Sequence, residues 1–213
     1  MGLHLDGLTI NHGTEPLVSL SAQIDPGQVL TIMGASGSGK STLLAALIGT
    51  LPPGFRATGR IVLNGADVTG LPTQKRRIGI LFQDDLLFPH LSVGGNLGFG
   101  LPPGTPNRAA RIDLALTDVG LDGFASRDPA TLSGGQRARV ALLRTLLADP
   151  LALLLDEPFS RLDAALRVQI RTLVFDRARA RGLPVILVTH DPEDARAADG
   201  PVLSPLGEVV SLA

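Results

Sequence analysis

The run Gly34-Ala35-Ser36-Gly37-Ser38-Gly39-Lys40-Ser41 constrains this chain more than any other stretch. The apolar segment Val29–Met33 precedes it, and a helical pattern from Ser41 and Thr42 to Ile48 follows. Strand, glycine-rich loop and helix in that order make a phosphate-binding loop. Its glycines let successive backbone N–H groups converge on one anion, and the helix N-terminus adds positive partial charge. Lys40 is placed to reach the outer phosphates, and the Ser41 hydroxyl suits a magnesium ion. A sequence that builds this loop must also build an α/β sheet to hold it.

Composition narrows the setting. At 213 residues and 44% hydrophobic, the chain suits one domain with a full core. It has no cysteine, which excludes disulfides and thiolate metal sites. A formal net charge of −1 supplies no broad field for nucleic acid, so none is expected as a partner. Lys40 and Lys75 are the two lysines, and arginine carries the remaining positive charge. No apolar run reaches membrane-spanning length, and the start Met1–Asp6 lacks a basic region followed by an apolar stretch. The expectation is a soluble cytosolic protein unless a partner tethers it.

Residues 1–33 read as antiparallel strands, with Leu3, Leu5, Leu8, Ile10 and then Val18, Leu20, Ala22, Ile24 marking the apolar face. Strands are also expected at Arg60–Leu63, Ile78–Phe82, Leu151–Leu155 and Val185–Val188, with short ones near 202–212. Asn64-Gly65 predicts a hairpin turn. Between Asp84 and Asp149, Gly- and Pro-rich loops, including Gly94-Gly95, alternate with helical patterns at 107–119 and 133–148. A further helix is expected near 164–181. Strands alternating with helices imply a mostly parallel sheet. The expected organisation is one domain, with a core of about 1–83 and 150–213 and an inserted helical subdomain of about 84–149.

Two further elements carry chemistry. Asp156-Glu157 closes the apolar strand Leu151–Leu155, at the strand end where open α/β sheets place ligands. Asp156 would hold Mg²⁺, and Glu157 would orient or deprotonate an attacking water. Leu132-Ser133-Gly134-Gly135-Gln136 opens a helix with capping-box spacing, and its two glycines leave the helix start uncovered as a second anion site.

With Leu132–Gln136 the chain resembles the ATP-binding subunits of ABC transporters, importer type, whose signature this run matches. The resemblance covers nearly the whole chain. It takes in the phosphate loop Gly34–Ser41, the Q-loop Gln83, the run ending at Asp156-Glu157, the D-loop Ser160–Asp163 and the switch His190. It implies a P-loop NTPase (RecA-like) parallel core with an antiparallel β subdomain and a helical insertion. ATP and Mg²⁺ are the implied ligands. Gly34, Ser36, Gly37, Ser38, Gly39, Lys40, Ser41 and Thr42 would bind the nucleotide in one copy. Ser133, Gly134, Gly135, Gln136 and Asp163 of a second, head-to-tail copy would complete the site. Ser41, Gln83 and Asp156 would serve the metal, and Glu157, His190 and Gln83 the hydrolysis. His12 stands where the family places an aromatic ring for adenine, and Arg161 where a small residue is commoner. His4 and His90 are assigned no role.

The segment Asp84–Val93 is similar to the permease-facing segment of importer cassettes. The resemblance therefore implies a membrane permease, a separate substrate-binding protein and a location on the cytoplasmic side of the inner membrane. The short form is most similar to thiamine-type importer ATPases. A cassette driving a membrane complex without import, as in cell division or lipoprotein release, is the alternative reading. A repair-class ATPase is disfavoured by the absence of long coiled-coil insertions, cysteine and basic charge.

Overall fold

Alternating burial builds the first strands, and a bulge keeps them in phase. The computed structural model describes residues 1–212. Strand β1 (Leu3–His12) buries Leu3 and Leu5, then Leu8 and Ile10, so its inward positions change from odd to even. The register against β2 (Glu15–Ile24) shifts between Leu5 and Leu8, where Gly7 sits at φ +58°. One extra residue there returns the apolar side chains to the core face.

Strand β3 (Val29–Met33) leads through the glycine-rich loop into helix α1 (Lys40–Ile48). Strand β4 runs from Phe55 to Leu63, starting earlier than the local pattern at Arg60–Leu63 indicates. Its outer half has little apolar content and forms because β1 supplies a ladder along its length. The Asn64-Gly65 turn, with both residues at positive φ, connects it to β5 (Ala66–Asp67). The short helix α2 (Thr73–Arg76) precedes β6 (Ile78–Leu81). Four strands form a sheet in the order β2-β1-β4-β5, antiparallel throughout.

Helices α3 (Val93–Gly100), α4 (Arg108–Thr117) and α5 (Gly134–Leu147) follow, then β7 (Ala152–Asp156) and α6 (Ala164–Ala180). Strand β8 (Val185–Thr189), α7 (Pro192–Ala198) and β9 (Val202–Leu203) complete the order. The second sheet runs β6-β7-β8-β3-β9. β8 pairs with both β3 and β7 in parallel, and these central strands are buried almost end to end. Near the C-terminus the expected short strands reduce to β9 and a single bridge between Leu203 and Val209.

The chain divides into two compact units. One comprises Met1–Ile80, Leu151–Glu157 and Phe175–Ala213, and contains both β1–β4 and the phosphate-loop strand. Its core includes Leu3, Ile10, Ile32, Leu43, Leu154 and Val188, all nearly or fully buried. The other comprises Leu81–Pro150 and Pro158–Val174, with a core of Val93, Leu97, Leu116, Val140 and neighbours.

Helix α3 corrects the reading of Gly94-Gly95 as loop. Ser92 caps it by accepting from Gly95 N. Its glycines serve packing: a Cβ on Gly94 would lie 2.9 Å from the Ala125 carbonyl, and one on Gly100 would collide with the Arg144 carbonyl of α5. Propensity alone disfavours a helix here by roughly 1 kcal/mol per glycine. Close approach to neighbouring backbone outweighs it.

Candidate active site

Parallel register brings three strand ends level. Met33 pairs with Thr189, and Asp156 with Val188, so the C-terminal ends of β7, β8 and β3 lie side by side. Gly34 follows the end of β3 in sequence, Asp156 closes β7 with Glu157 next, and His190 follows β8. Strands in a sheet lie about 4.8 Å apart, so residues remote in sequence meet at one edge.

The phosphate loop has the backbone that convergent N–H groups need. Gly37 and Gly39 sit at φ +80° and +93°, conformations that side chains disfavour. A Cβ on Gly39 would also press to 3.1 Å from the Leu17 carbonyl and 3.2 Å from Val18, so the start of β2 lies directly against the loop. Lys40 is 6% exposed, and its ammonium donates to the Gly34 and Ala35 carbonyls at 2.8 Å each. An ammonium has three donors, so this geometry fixes its position and leaves one hydrogen for an anion. The Ser38 hydroxyl is buried and makes no hydrogen bond. Ser36 and Ser41 are exposed, and Thr42 is half-buried.

Asp156 ends β7 with its carboxyl held above the usual carboxylate range. Burial is the main cause, the charge of Glu157 adds to it, and Lys40 opposes both. A buried carboxylate beside another negative charge is stabilised by a cation. Among the described residues no group of three or more His, Cys, Asp or Glu could hold a metal. The donors fit a magnesium ion instead, which is commonly held by one or two carboxylates or hydroxyls while phosphate oxygens supply other ligands.

Glu157 has φ +45°, unusual for a residue with a side chain, and its N–H donates to the Val188 carbonyl at 2.9 Å. Its carboxylate lies 3.2 Å from His190 Nδ1, a contact that spacing in the chain does not reveal. Behind His190, the buried Thr189 hydroxyl accepts from Asp191 N at 3.0 Å and reaches the buried Asp194 carboxylate at 3.5 Å. Thr189 and Asp194 are the supporting residues that sequence reasoning missed. An Asp capping a helix three residues before a second Asp was the available signal.

His12 ends β1 on the exposed side of the antiparallel sheet, opposite Phe55 of β4. Their ring centroids are 4.8 Å apart with planes inclined by 30°.

The second unit carries its own cluster. Ser133 and Gln136 form both halves of a capping box: Ser133 N donates to Gln136 Oε1 at 2.9 Å, and Gln136 N to Ser133 Oγ at 3.3 Å. The two glycines differ. Gly134 is open, whereas a Cβ on Gly135 would force Leu166 of α6 aside. Ser133, Gly134 and Gly135 line a groove with Arg161 and Asp163. Asp163 Oδ1 accepts from Leu166 N at 3.0 Å at the start of α6. Gln83 is exposed beside Asp84 and Asp85. Arg161 pairs with Asp84, which gives the unusual arginine a partner.

The ABC transporter family model matches residues 17–160. The chain belongs to the ABC transporter family. It is 53% identical over 189 residues to the uncharacterized ABC transporter ATP-binding protein YnjD of Escherichia coli (strain K12), covering 88% of this chain and 87% of that protein. It is 46% identical over 212 residues to the thiamine import ATP-binding protein ThiQ of Jannaschia sp. (strain CCS1), covering 98% and 91%. It is 41% identical over 187 residues to the Fe(3+) ions import ATP-binding protein FbpC of Rhizobium etli. That match takes in 86% of this chain and 52% of the longer relative. This ABC transporter protein binds ATP and is an ATPase, with the α/β P-loop fold expected of it.

Proposed function

We propose that this chain is the ATP-hydrolysing subunit of an importer, working as a head-to-tail pair beneath a membrane permease. The observation that carries the reading is the shared edge where the phosphate loop, Asp156-Glu157 and His190 stand on adjacent parallel strands. In this arrangement Gly34–Ser41 and Thr42 grip the triphosphate by backbone N–H groups, the Lys40 ammonium and the Ser41 hydroxyl. Ser41 and Asp156 would hold Mg²⁺, which would supply charge neutralisation along the phosphates when bound. Glu157 accepts a proton from the attacking water, and His190, in contact with its carboxylate, orients it. Ser133, Gly134, Gly135, Gln136 and Asp163 serve the nucleotide of a second copy, because their cluster offers an open, capped helix start. His12 faces the adenine.

The permease-facing surface is the segment 84–93. Asn96, fully buried, holds it by donating to the Phe88, Leu91 and Ser92 carbonyls, and Arg144 donates to the Asp85 and Leu86 carbonyls. Exposed Leu86 and Phe99, with Phe88 edge-on to Phe99 at 4.7 Å, then form an apolar surface suited to a helix of the partner. Among the described residues no helix is long and apolar enough to cross a membrane. In this reading the chain attaches to the cytoplasmic face of the inner membrane through the permease, with a substrate-binding protein on the other side. The relatives' names favour import over membrane work without a cargo.

The test is Glu157→Gln. It should abolish turnover while ATP drives a stable dimer, measured by size exclusion with light scattering. Persistent turnover would remove Glu157 from the reaction, and a monomer at saturating ATP would remove the paired site.

A further inference from the structure

His12 is a small ring for holding a purine, and the chain contains no tyrosine or tryptophan. Its neighbour changes that assessment. Phe55 opens β4 directly across from His12 in the antiparallel register, and the two rings lie 4.8 Å apart, tilted by 30°. Phe55 is half-buried and packs against the core of its unit, so its ring is held in place, while His12 is exposed. The rest of the setting places this pair near the nucleotide. Leu17 and Val18 lie against Gly39 of the phosphate loop, and the β1–β2 register sets Glu15, two residues before Leu17, opposite His12. At about 3.3 Å per strand residue, the pair stands roughly 7 Å along the hairpin from the phosphate loop.

We propose that Phe55 is a positioning residue for the base. It backs the His12 imidazole from the protein side, so that the two rings act as one stacking platform for the purine. This rests on the reading that His12 meets adenine. The reason is physical: an imidazole alone offers little area and a mobile face. A ring anchored in the core and stacked behind it restricts its rotation and extends the polarisable surface. The anchoring cannot be read from β1, since it depends on the partner strand's register.

The experiment measures ATPase KM and kcat, and competition by inorganic tripolyphosphate, which has no base. The variants are Phe55→Leu, Phe55→Tyr, His12→Ala and the double His12→Ala/Phe55→Leu. Phe55→Leu keeps the apolar contact with the core. It is expected to raise KM for ATP about two- to tenfold with kcat and tripolyphosphate inhibition unchanged, the range of aromatic pairing. Phe55→Tyr should restore KM, and Phe55→Leu should add nothing in the His12→Ala background. If His12→Ala raises KM but Phe55→Leu does not, the platform is overturned while His12 keeps its place. If His12→Ala leaves KM unchanged, the base lies elsewhere and both readings fall. A parallel loss of tripolyphosphate binding in Phe55→Leu would show damage to the phosphate loop and overturn the proposal. Should Phe55→Leu fold poorly, Phe55→Met against His12→Ala/Phe55→Met measures the same coupling, and additive effects there overturn it.

Discussion

Replacing Arg76 by methionine tests how the phosphate-loop helix is anchored. Arg76 is 6% exposed and spends its guanidinium on carbonyls. Nη1 donates to Ala46 O and Leu47 O at 2.8 Å each, Nε to Leu71 O at 2.8 Å and Nη2 to Thr69 O at 2.6 Å. The first two acceptors belong to the last turn of α1, where a positive charge meets the negative end of the dipole; Ala46 O also accepts from the capping Gly49 N at 3.2 Å. Both of those bonds are buried, whereas the other two are partly open to water. Methionine fills much of the volume but takes the donor from the buried Leu47 carbonyl, at about 1–3 kcal/mol. It leaves Ala46 O with Gly49 N alone, and losing the two partly open bonds adds about 0.5–1.5 kcal/mol each. Burial also holds the Arg76 pKa below its usual value, so removing the charge recovers some desolvation. The expected net loss is about 2–4 kcal/mol, a large part of a typical 5–15 kcal/mol. At about 2–4 °C per kcal/mol for a chain of this size, the melting temperature should fall by roughly 4–16 °C. Differential scanning calorimetry without nucleotide measures this, with Arg76→Lys expected between methionine and the parent. A methionine variant melting within about 2 °C of the parent would refute the reasoning, because the buried Leu47 carbonyl cannot lose its charged donor for so little.

Other outcomes are expected from the second unit. Asp85 is held above the usual carboxylate range, chiefly by burial, even though Arg137 lies 3.4 Å away. A raised carboxyl pKa means the folded state binds its proton more tightly, so stability falls as pH rises from the ordinary carboxylate range through the raised value. Asp85→Asn should therefore match or exceed the parent's melting temperature at pH 7, and lose that advantage below about pH 4; a marked loss at pH 7 would show the ion pair dominates. Gly98→Ala and Gly100→Ala should act oppositely in α3. A Cβ on Gly98 meets Ile112 at an ordinary 3.7 Å, so alanine gains up to about 1 kcal/mol of propensity. On Gly100 it meets the Arg144 backbone, costing about 1–3 kcal/mol; urea melts that rank the two the other way would contradict the packing account. Phe99 is 69% exposed, so Phe99→Asp should leave basal ATPase unchanged and cost only the edge contact with Phe88, about 0.5–1.5 kcal/mol, while abolishing co-purification with the permease. Normal recovery of the membrane partner would place the docking surface elsewhere.

Local chemistry made much of this protein legible in advance. A phosphate loop needs its glycines, lysine and serine consecutive, so Gly34–Ser41 declares itself, and the strand before it and helix after it are obliged to follow. The capping box is a three-residue spacing, so Ser133 and Gln136 were readable as a pair. Asp156-Glu157 stood out because a buried parallel strand reads as a continuous apolar run.

Tertiary structure decided what depends on neighbours distant in sequence. The glycines of α3 are there to let α5 and the Ala125 backbone approach, and no local signal separates such glycines from those of a loop. The contact of His190 with Glu157 exists because β7 and β8 pair in one register, and Phe55 reaches His12 because β4 extends outward along β1. Arg76 looks like a surface charge in a basic run until the fold wraps four carbonyls around it. Motifs are written where the ligand needs consecutive residues. Contacts set by register and packing are properties of the assembled chain, because the energy that selects them arises only when separate segments meet.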